Sequence, residues 1–313
     1  MKKISLVVPC YNEEGNVPEI YPKLTELMET LGRYDYEIVF SDNDSTDNTA
    51  QILREIAAKD KRVKVILNNR NFGHECSLFH AILKASGDAV IYLAADMQDP
   101  LELIPQFIER WENGALVVWG QKTGSTESKF MYWVRSLYYK IIKALSPIKQ
   151  YQHVTGFGLY DRKLLEHFRN LCDPWPMLRN LVPYLGYKPE LIPYKQAARK
   201  HGKSAHGFFK YFDTALNSLV HTSKVPLKIA IYGGFICSLL SFAAGLFYLI
   251  YKLVLWDNFE VGMAPVVIAV FFLASVQITF MGVMGEYILN ILDRASFREY
   301  VIEKETINFE ADA

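Results

Sequence analysis

The sequence predicts an α/β fold, a mostly parallel sheet with helices on both faces, followed by a C-terminal hairpin of two membrane-crossing helices. Three observations lead there. Short apolar, β-branched runs alternate with stretches of helical periodicity over roughly the first 220 residues, the pattern of right-handed βαβ units. The early runs end in clusters of oxygen-bearing side chains. Two long runs without a charged residue then follow, 229–251 and 261–285, each longer than the roughly 20 residues a helix needs to cross a bilayer core.

In chain order, a first strand over residues 4–8 is expected to stop at Pro9-Cys10-Tyr11-Asn12-Glu13-Glu14, with a helix carried by Leu24, Leu27 and Leu31. A second strand over 38–40 ends at Ser41-Asp42-Asn43-Asp44-Ser45-Thr46-Asp47, and Ala50, Ile52, Leu53 and Ile56 continue at helical spacing. A third, 63–67, leads through Asn68-Asn69-Arg70-Asn71-Phe72-Gly73-His74 into a helix with Leu78 and Leu83. The fourth, 89–93, delivers Asp96, and 116–119 is a fifth. In such sheets the ligand lies beyond the carboxyl ends of the strands, where the strand order reverses. Those ends carry Tyr11, Asn12, Glu13, Asp42, Asp44, Arg70 and Asp96. Each loop alone also reads as an ordinary helix cap or turn; their coincidence at one end of one sheet favours a site.

Asp96-Met97-Gln98-Asp99-Pro100 offers only hard oxygen ligands, which suit magnesium or manganese held jointly with phosphate oxygens. A Walker lysine motif and a dinucleotide glycine motif are both missing, so phosphates would be held by metal and basic side chains. The formal net charge of zero suggests no nucleic-acid partner. Cys10, Cys76, Cys172 and Cys237 lack paired spacing, which speaks against a zinc site or a disulfide framework and for a reducing compartment. Met1-Lys2-Lys3 precedes an apolar run too short for a secretory signal. Asn43-Asp44-Ser45 fits the glycosylation sequon but is expected to stay unmodified in the cytosol.

Val8-Pro9-Cys10-Tyr11-Asn12-Glu13-Glu14, Asp42 with Ser45-Thr46-Asp47, Arg70-Asn71-Phe72-Gly73 and Asp96-Met97-Gln98-Asp99-Pro100 occur in the order seen in family 2 glycosyltransferases of the GT-A fold. More narrowly, the chain resembles the polyprenyl-phosphate glycosyltransferases, the bactoprenol glucosyltransferases among them, bacterial relatives of dolichyl-phosphate mannose synthase. Leu159-Tyr160-Asp161-Arg162, Gly202-Lys203-Ser204, Lys224-Val225-Pro226-Leu227 and Gly285-Glu286-Tyr287 extend the resemblance over nearly the whole length. It implies a UDP- or GDP-sugar donor, with Pro9, Tyr11, Asn12, Glu13 and Asp42 around base and ribose. It also implies Asp96 and Gln98 on a Mg2+ or Mn2+ ion, and a basic residue at Lys122 for the diphosphate or the acceptor phosphate.

Two departures stand out. The usual Asp-x-Asp metal motif is here Ala94-Ala95-Asp96, so its first carboxylate is missing. The family's Gly-Asp-Phe-Arg-Leu segment is Thr155-Gly156-Phe157-Gly158-Leu159, in which glycines replace the Asp and the Arg. Weaker metal binding is expected from the first. For the second, the glycines admit either a close approach of backbone to ligand or a strand bulge.

The implied organisation is a cytosolic catalytic domain over 1–205, an amphipathic interfacial helix over 206–224, two membrane helices within 225–288, about 228–252 and 263–286, and a cytosolic tail over 289–313 that is a helix or strand docking on a neighbour or on its own domain. The Arg199-Lys200-His201-Gly202-Lys203 stretch places Arg199 and Lys203 as phosphate contacts. Lys224, Lys228, Arg294 and Arg298 on one side, against Asp257 and Glu260 in the connector, put both termini in the cytosol of a multi-pass inner-membrane protein. The expected partners are a nucleotide-sugar donor, polyprenyl (undecaprenyl) phosphate, membrane lipid and other copies in a homo-oligomer, taken as a tetramer. The expected activity is an inverting transfer of one sugar to that lipid phosphate; the alternative is a catalytically weak nucleotide-sugar- or lipid-binding scaffold. A processive synthase is excluded, since Gln106 and Arg110-Trp111 miss the Gln-x-x-Arg-Trp spacing.

Overall fold

The structure is a computed structural model that describes residues 1–123, 151–169, 176–196, 263–296 and 301–309, with separate positions between 232 and 254. Its strands are β1 (Lys3–Cys10), β2 (Asp35–Asp42), β3 (Val63–Asn68), β4 (Ala89–Tyr92), β5 (Val117–Lys122), β6 (Val154–Asp161), β7 (Glu190–Tyr194) and β8 (Glu303–Ile307). Its helices are α1 (Val17–Leu31), α2 (Thr49–Lys59), α3 (His74–Lys84), α4 (Ile104–Glu112), α5 (Arg162–Arg169), α6 (Leu178–Tyr184) and α7 (Met263–Ser296).

The strands form one sheet in the order β7-β5-β6-β4-β1-β2-β3-β8. Strands β4, β1, β2 and β3 run parallel, as expected of βαβ units. Because β2 and β3 continue to one side of β1 and β4 lies on the other, the order reverses between β1 and β4. In open α/β sheets that is the place where ligands bind.

The pleat sends alternate residues of each strand to opposite layers. Ile4, Leu6 and Val8 join Ile38 and Phe40 under α1, α2 and α4, while Val7, Val39, Ile66 and Val90 face the layer of α3, α5 and α6. Helix α1 buries Val17, Ile20, Leu24 and Met28, an apolar stripe at helical spacing, and ends at Gly32 in the left-handed conformation with φ 58°. Two core layers flank the sheet, so its central strands are apolar on both faces.

Two points depart from the sequence reading, and a third chooses among its alternatives for the tail. Pro9 lies inside β1, paired with Ser41, instead of ending it. Its missing N–H costs nothing there, because β4 has already ended opposite Val7. Strand β6 inserts antiparallel between β4 and β5, so the fifth strand is not next to the fourth. The tail supplies β8, antiparallel to β3, so it docks on its own domain. Glu303 there binds His80 at 2.6 Å and Lys84 at 2.5 Å, and Arg54 meets Glu305 at 2.8 Å.

The chain divides into two compact units, one of residues 1–139, 148–205 and 297–313, the other of 140–147 and 206–296. In the second, α7 is 34 residues long, a rise of about 50 Å. Phe280 of α7 lies against Gly233 and Gly234, where an added Cβ would come within 3.7 and 3.3 Å of its ring. The described residues do not by themselves make a helix long and apolar enough to cross a membrane, so the two spans remain expectations of the sequence. The interfacial helix at 206–224 falls outside the described residues.

Candidate active site

The carboxyl ends of β1 and β2 are tied together by their loops. Asn12, at φ 56°, donates its backbone N–H to Ser45 Oγ at 2.9 Å, and its side-chain oxygen accepts from the Thr46 N–H at 2.8 Å. The Glu13 N–H donates to Thr49 Oγ1 at 2.8 Å, and the Asn48 N–H to Glu14 at 3.0 Å. These bonds reach from the loop after β1 to the loop after β2, 33–36 positions apart in the chain, through short polar side chains. They hold Pro9, Tyr11, Asn12, Glu13 and Asp42 as one wall, from which the Tyr11 ring stands 47 % exposed.

Asp42 closes this wall from beneath, only 2 % exposed. Burial pushes its carboxyl up, while the hydroxyl and N–H of Ser45 pull it down and the Asp47 and Asp44 charges push it up again. Below it, Cys10 is buried, and its thiol is driven well up by that burial and then by Asp42 and Glu13. The thiol therefore stays protonated and inert.

The loop after β3 is held by an amide network that sequence reasoning did not single out. Asn68 donates to Ser77 Oγ at 3.0 Å and to Asn43 Oδ1 at 3.1 Å, Asn43 donates to Asn71 at 3.0 Å, and Ser41 and Ser77 meet at 3.0 Å. The run of asparagines after the third strand was the available signal. Asn43, the sequon asparagine, is buried in this network, so its side chain is out of reach of modification.

After β4, the chain turns at Met97 with φ 54° and buries two carboxylates, Asp96 and Asp99, each 6 % exposed. Asp96 accepts the Gln98 N–H at 3.2 Å. Asp99 accepts from the Tyr194 hydroxyl at 2.7 Å, and Gln98 accepts from the Gln196 side chain at 3.1 Å. Burial pushes the Asp99 carboxyl up; the Tyr194 bond and the Lys122 charge oppose this, and Asp96 adds to it. Lys122 ends β5, its backbone N–H bonded to the His153 carbonyl at 2.9 Å.

Two buried carboxylates close enough to repel one another, beside an amide oxygen, form a hard donor set that fits a divalent cation. Among the described residues no three His, Cys, Asp or Glu side chains gather, so such an ion would take its remaining ligands from phosphate and water, the usual arrangement for magnesium.

The structure thus brings Asp96, Gln98 and Lys122 to the same sheet edge as Pro9, Tyr11, Asn12, Glu13 and Asp42. Arg199 and Lys203 lie outside the described residues. The glycines of β6 make a bulge: Trp119 pairs with Gly158 but Gln121 pairs with Val154, leaving extra residues on β6. A Cβ at Gly158 would overlap the Val118 carbonyl oxygen, so an arginine is excluded there. Tyr160, Asp161 and Arg162 are structural. Tyr160 donates to the Gly156 carbonyl, Asp161 accepts from the Trp111 indole at 2.6 Å, and Arg162 bonds the Ala85 and Gly87 carbonyls.

The chain is similar to known proteins in sequence and in fold. The model of the family described as glycosyl transferase family 2 matches residues 5–169. A bactoprenol glucosyl transferase of Shigella phage SfV is 34 % identical over 305 residues, covering 97 % of this chain and 99 % of that protein. A prophage bactoprenol glucosyl transferase homolog of Escherichia coli K12 is 32 % identical over 287 residues, covering 91 % and 93 %. Among solved structures, the glucosyl-3-phosphoglycerate synthase of Mycobacterium tuberculosis, in complex with Mn2+, UDP and phosphoglyceric acid, is similar in fold. Its TM-score is 0.50 at 19 % identity, covering 70 % of this chain and 76 % of that one.

Proposed function

Since the chain belongs to glycosyl transferase family 2 and is a glycosyltransferase with the GT-A fold, we propose that it moves a single sugar from a UDP- or GDP-linked donor to polyprenyl phosphate. The observation that carries this reading is the buried Asp96–Asp99 pair at the carboxyl end of β4, beside the wall formed by the β1 and β2 loops. The near full-length relatives named bactoprenol glucosyl transferases support the acceptor.

In this reading Pro9, Tyr11, Asn12, Glu13 and Asp42 seat the base and ribose. Asp96 and Gln98, with Asp99 behind them, would hold Mg2+ or Mn2+. Such an ion stabilises the charge that grows on the nucleoside diphosphate as the sugar bond breaks. Lys122 adds a fixed positive charge at the same place, and Tyr194 keeps Asp99 turned toward it.

The transfer is a single displacement. An acceptor phosphate oxygen bonds to the anomeric carbon as the bond to the diphosphate oxygen breaks, and the electron pair leaves with the diphosphate. Configuration inverts, and no nucleophilic side chain is required. A phosphate monoester has a second pKa near about 6, so the acceptor is mostly dianionic at neutral pH and needs little help from a base. That agrees with a glycine at position 156.

The uncharged runs 229–251 and 261–285 support a multi-pass protein of the inner membrane with a cytosolic catalytic domain. Arg199 and Lys203 are proposed to meet the lipid phosphate, and a homotetramer is proposed as the assembly. Chemical cross-linking in mild detergent that yields only monomer would remove the tetramer. One observation favours a second reading, a nucleotide-sugar-binding scaffold: Ala94 leaves the metal site one carboxylate short.

The deciding experiment incubates purified protein with undecaprenyl phosphate and a panel of radiolabelled UDP- and GDP-sugars. Label entering the chloroform phase from one donor supports the transferase. Binding of a donor by calorimetry without turnover of any donor gives the scaffold.

A further inference from the structure

Gly156 of β6 lies beside Tyr92. Its backbone lies in the left-handed region at φ +100°, and a side chain there would begin 3.6 Å from both the Tyr92 ring and the Tyr160 hydroxyl. On the same Tyr92, the hydroxyl lies 3.2 Å from Nε2 of His74, with the two rings tilted at 57°.

Tyr92 is 5 % exposed, whereas His74, the first residue of α3, is exposed and open to a ligand. Burial drives the Tyr92 phenol well up, and Asp99, Glu75, Tyr160 and Asp96 push it the same way, so it keeps its proton. A phenol that donates to Nε2 leaves the imidazole proton on Nδ1, which has no hydrogen-bond partner among the described residues. In that tautomer the pair presents a fixed donor.

In the transferase reading, on which this inference rests, the cation at Asp96 serves the leaving diphosphate. The attacking phosphate is a second anion and needs a donor of its own. We propose that His74, held by Tyr92, is that donor and grips the phosphate of the acceptor.

The test is calorimetric titration of the full-length protein in mild detergent with farnesyl phosphate, with inorganic phosphate and, with magnesium present, with UDP. A charge-assisted hydrogen bond contributes about 1.5–3 kcal/mol, so His74→Ala should weaken farnesyl phosphate by about ten- to a hundredfold. UDP affinity should stay within about twofold, since His74 is assigned to the acceptor and not to the donor. Tyr92→Phe should weaken farnesyl phosphate less, and His74→Gln, which keeps a donor of similar reach, should recover part of the loss.

Unchanged farnesyl phosphate binding in His74→Ala overturns the proposal, as does a parallel loss of UDP. Equal affinity of the wild type for inorganic phosphate and farnesyl phosphate makes this a general anion site and overturns the acceptor assignment. Wild-type protein that binds neither UDP nor farnesyl phosphate removes the transferase reading and this inference with it. Wild-type binding of both, with the variants unchanged, removes this inference alone.

Discussion

Tyr194 donates its hydroxyl to the buried carboxylate of Asp99 at 2.7 Å, joining β7 to the loop after β4 across 95 positions of sequence. This bond holds a buried carboxylate of the proposed metal site against its own burial. Removing it should therefore change both stability and cation affinity.

Tyr194→Phe leaves Asp99 without that donor, so its raised carboxyl rises further. A carboxyl lifted above its ordinary value of 3.8 binds protons more tightly folded than unfolded, and stability falls as pH rises through that window. The variant should lose about 1–2 kcal/mol near pH 7 and less near pH 4. Thermal melts at both pH values check this, and added Mg2+ should recover part of the loss at pH 7.

Glu37 gives the opposite pH dependence. Burial pushes its carboxyl up, but the ammonium groups of Lys3 and Lys64, each at 2.8 Å, together with Ser5 and Ser86, outweigh burial and hold it at about 2. Its stabilisation is complete above the ordinary value of 4.5 and is lost as pH falls from there toward 2. Glu37→Gln should cost about 3 kcal/mol at pH 7, by denaturant titration, and nearly nothing near pH 2.

Gly158→Ala places a methyl group on the Val118 carbonyl oxygen, a backbone atom that cannot swing aside. A loss of about 3 kcal/mol or more is expected. Gly186→Ala is the control. Its φ of +83° is also positive, but nothing lies within 4 Å, so only about 1 kcal/mol should be lost. Melting temperatures of the two variants decide the comparison.

Much of this was legible in the sequence because it is local. Apolar runs ending in Asn12, Asp42 and Asp96 gave four parallel strands and the edge where they deliver their polar residues. Thr155-Gly156-Phe157-Gly158 hid β6, because glycines have little strand propensity and the partners that accept the bulge, Val118 and Trp119, are far away in sequence. Tyr194 and His74 were missed for a related reason. Their roles come from contacts with Asp99 and Tyr92, which no periodicity reports. The tail could be assigned to a strand on its own domain only once β3 was seen to offer it an edge.

The most direct measurement is the rate of sugar transfer to undecaprenyl phosphate by wild-type protein and by Asp96→Ala, each with Mg2+, with Mn2+ and with chelator. The wild type should form a chloroform-soluble product with metal and lose it with chelator. Asp96→Ala should melt like the wild type and fall at least about a hundredfold in rate. A folded Asp96→Ala protein that transfers sugar at the wild-type rate, or wild-type transfer untouched by chelator, would contradict the placement of the metal and the diphosphate at the end of β4.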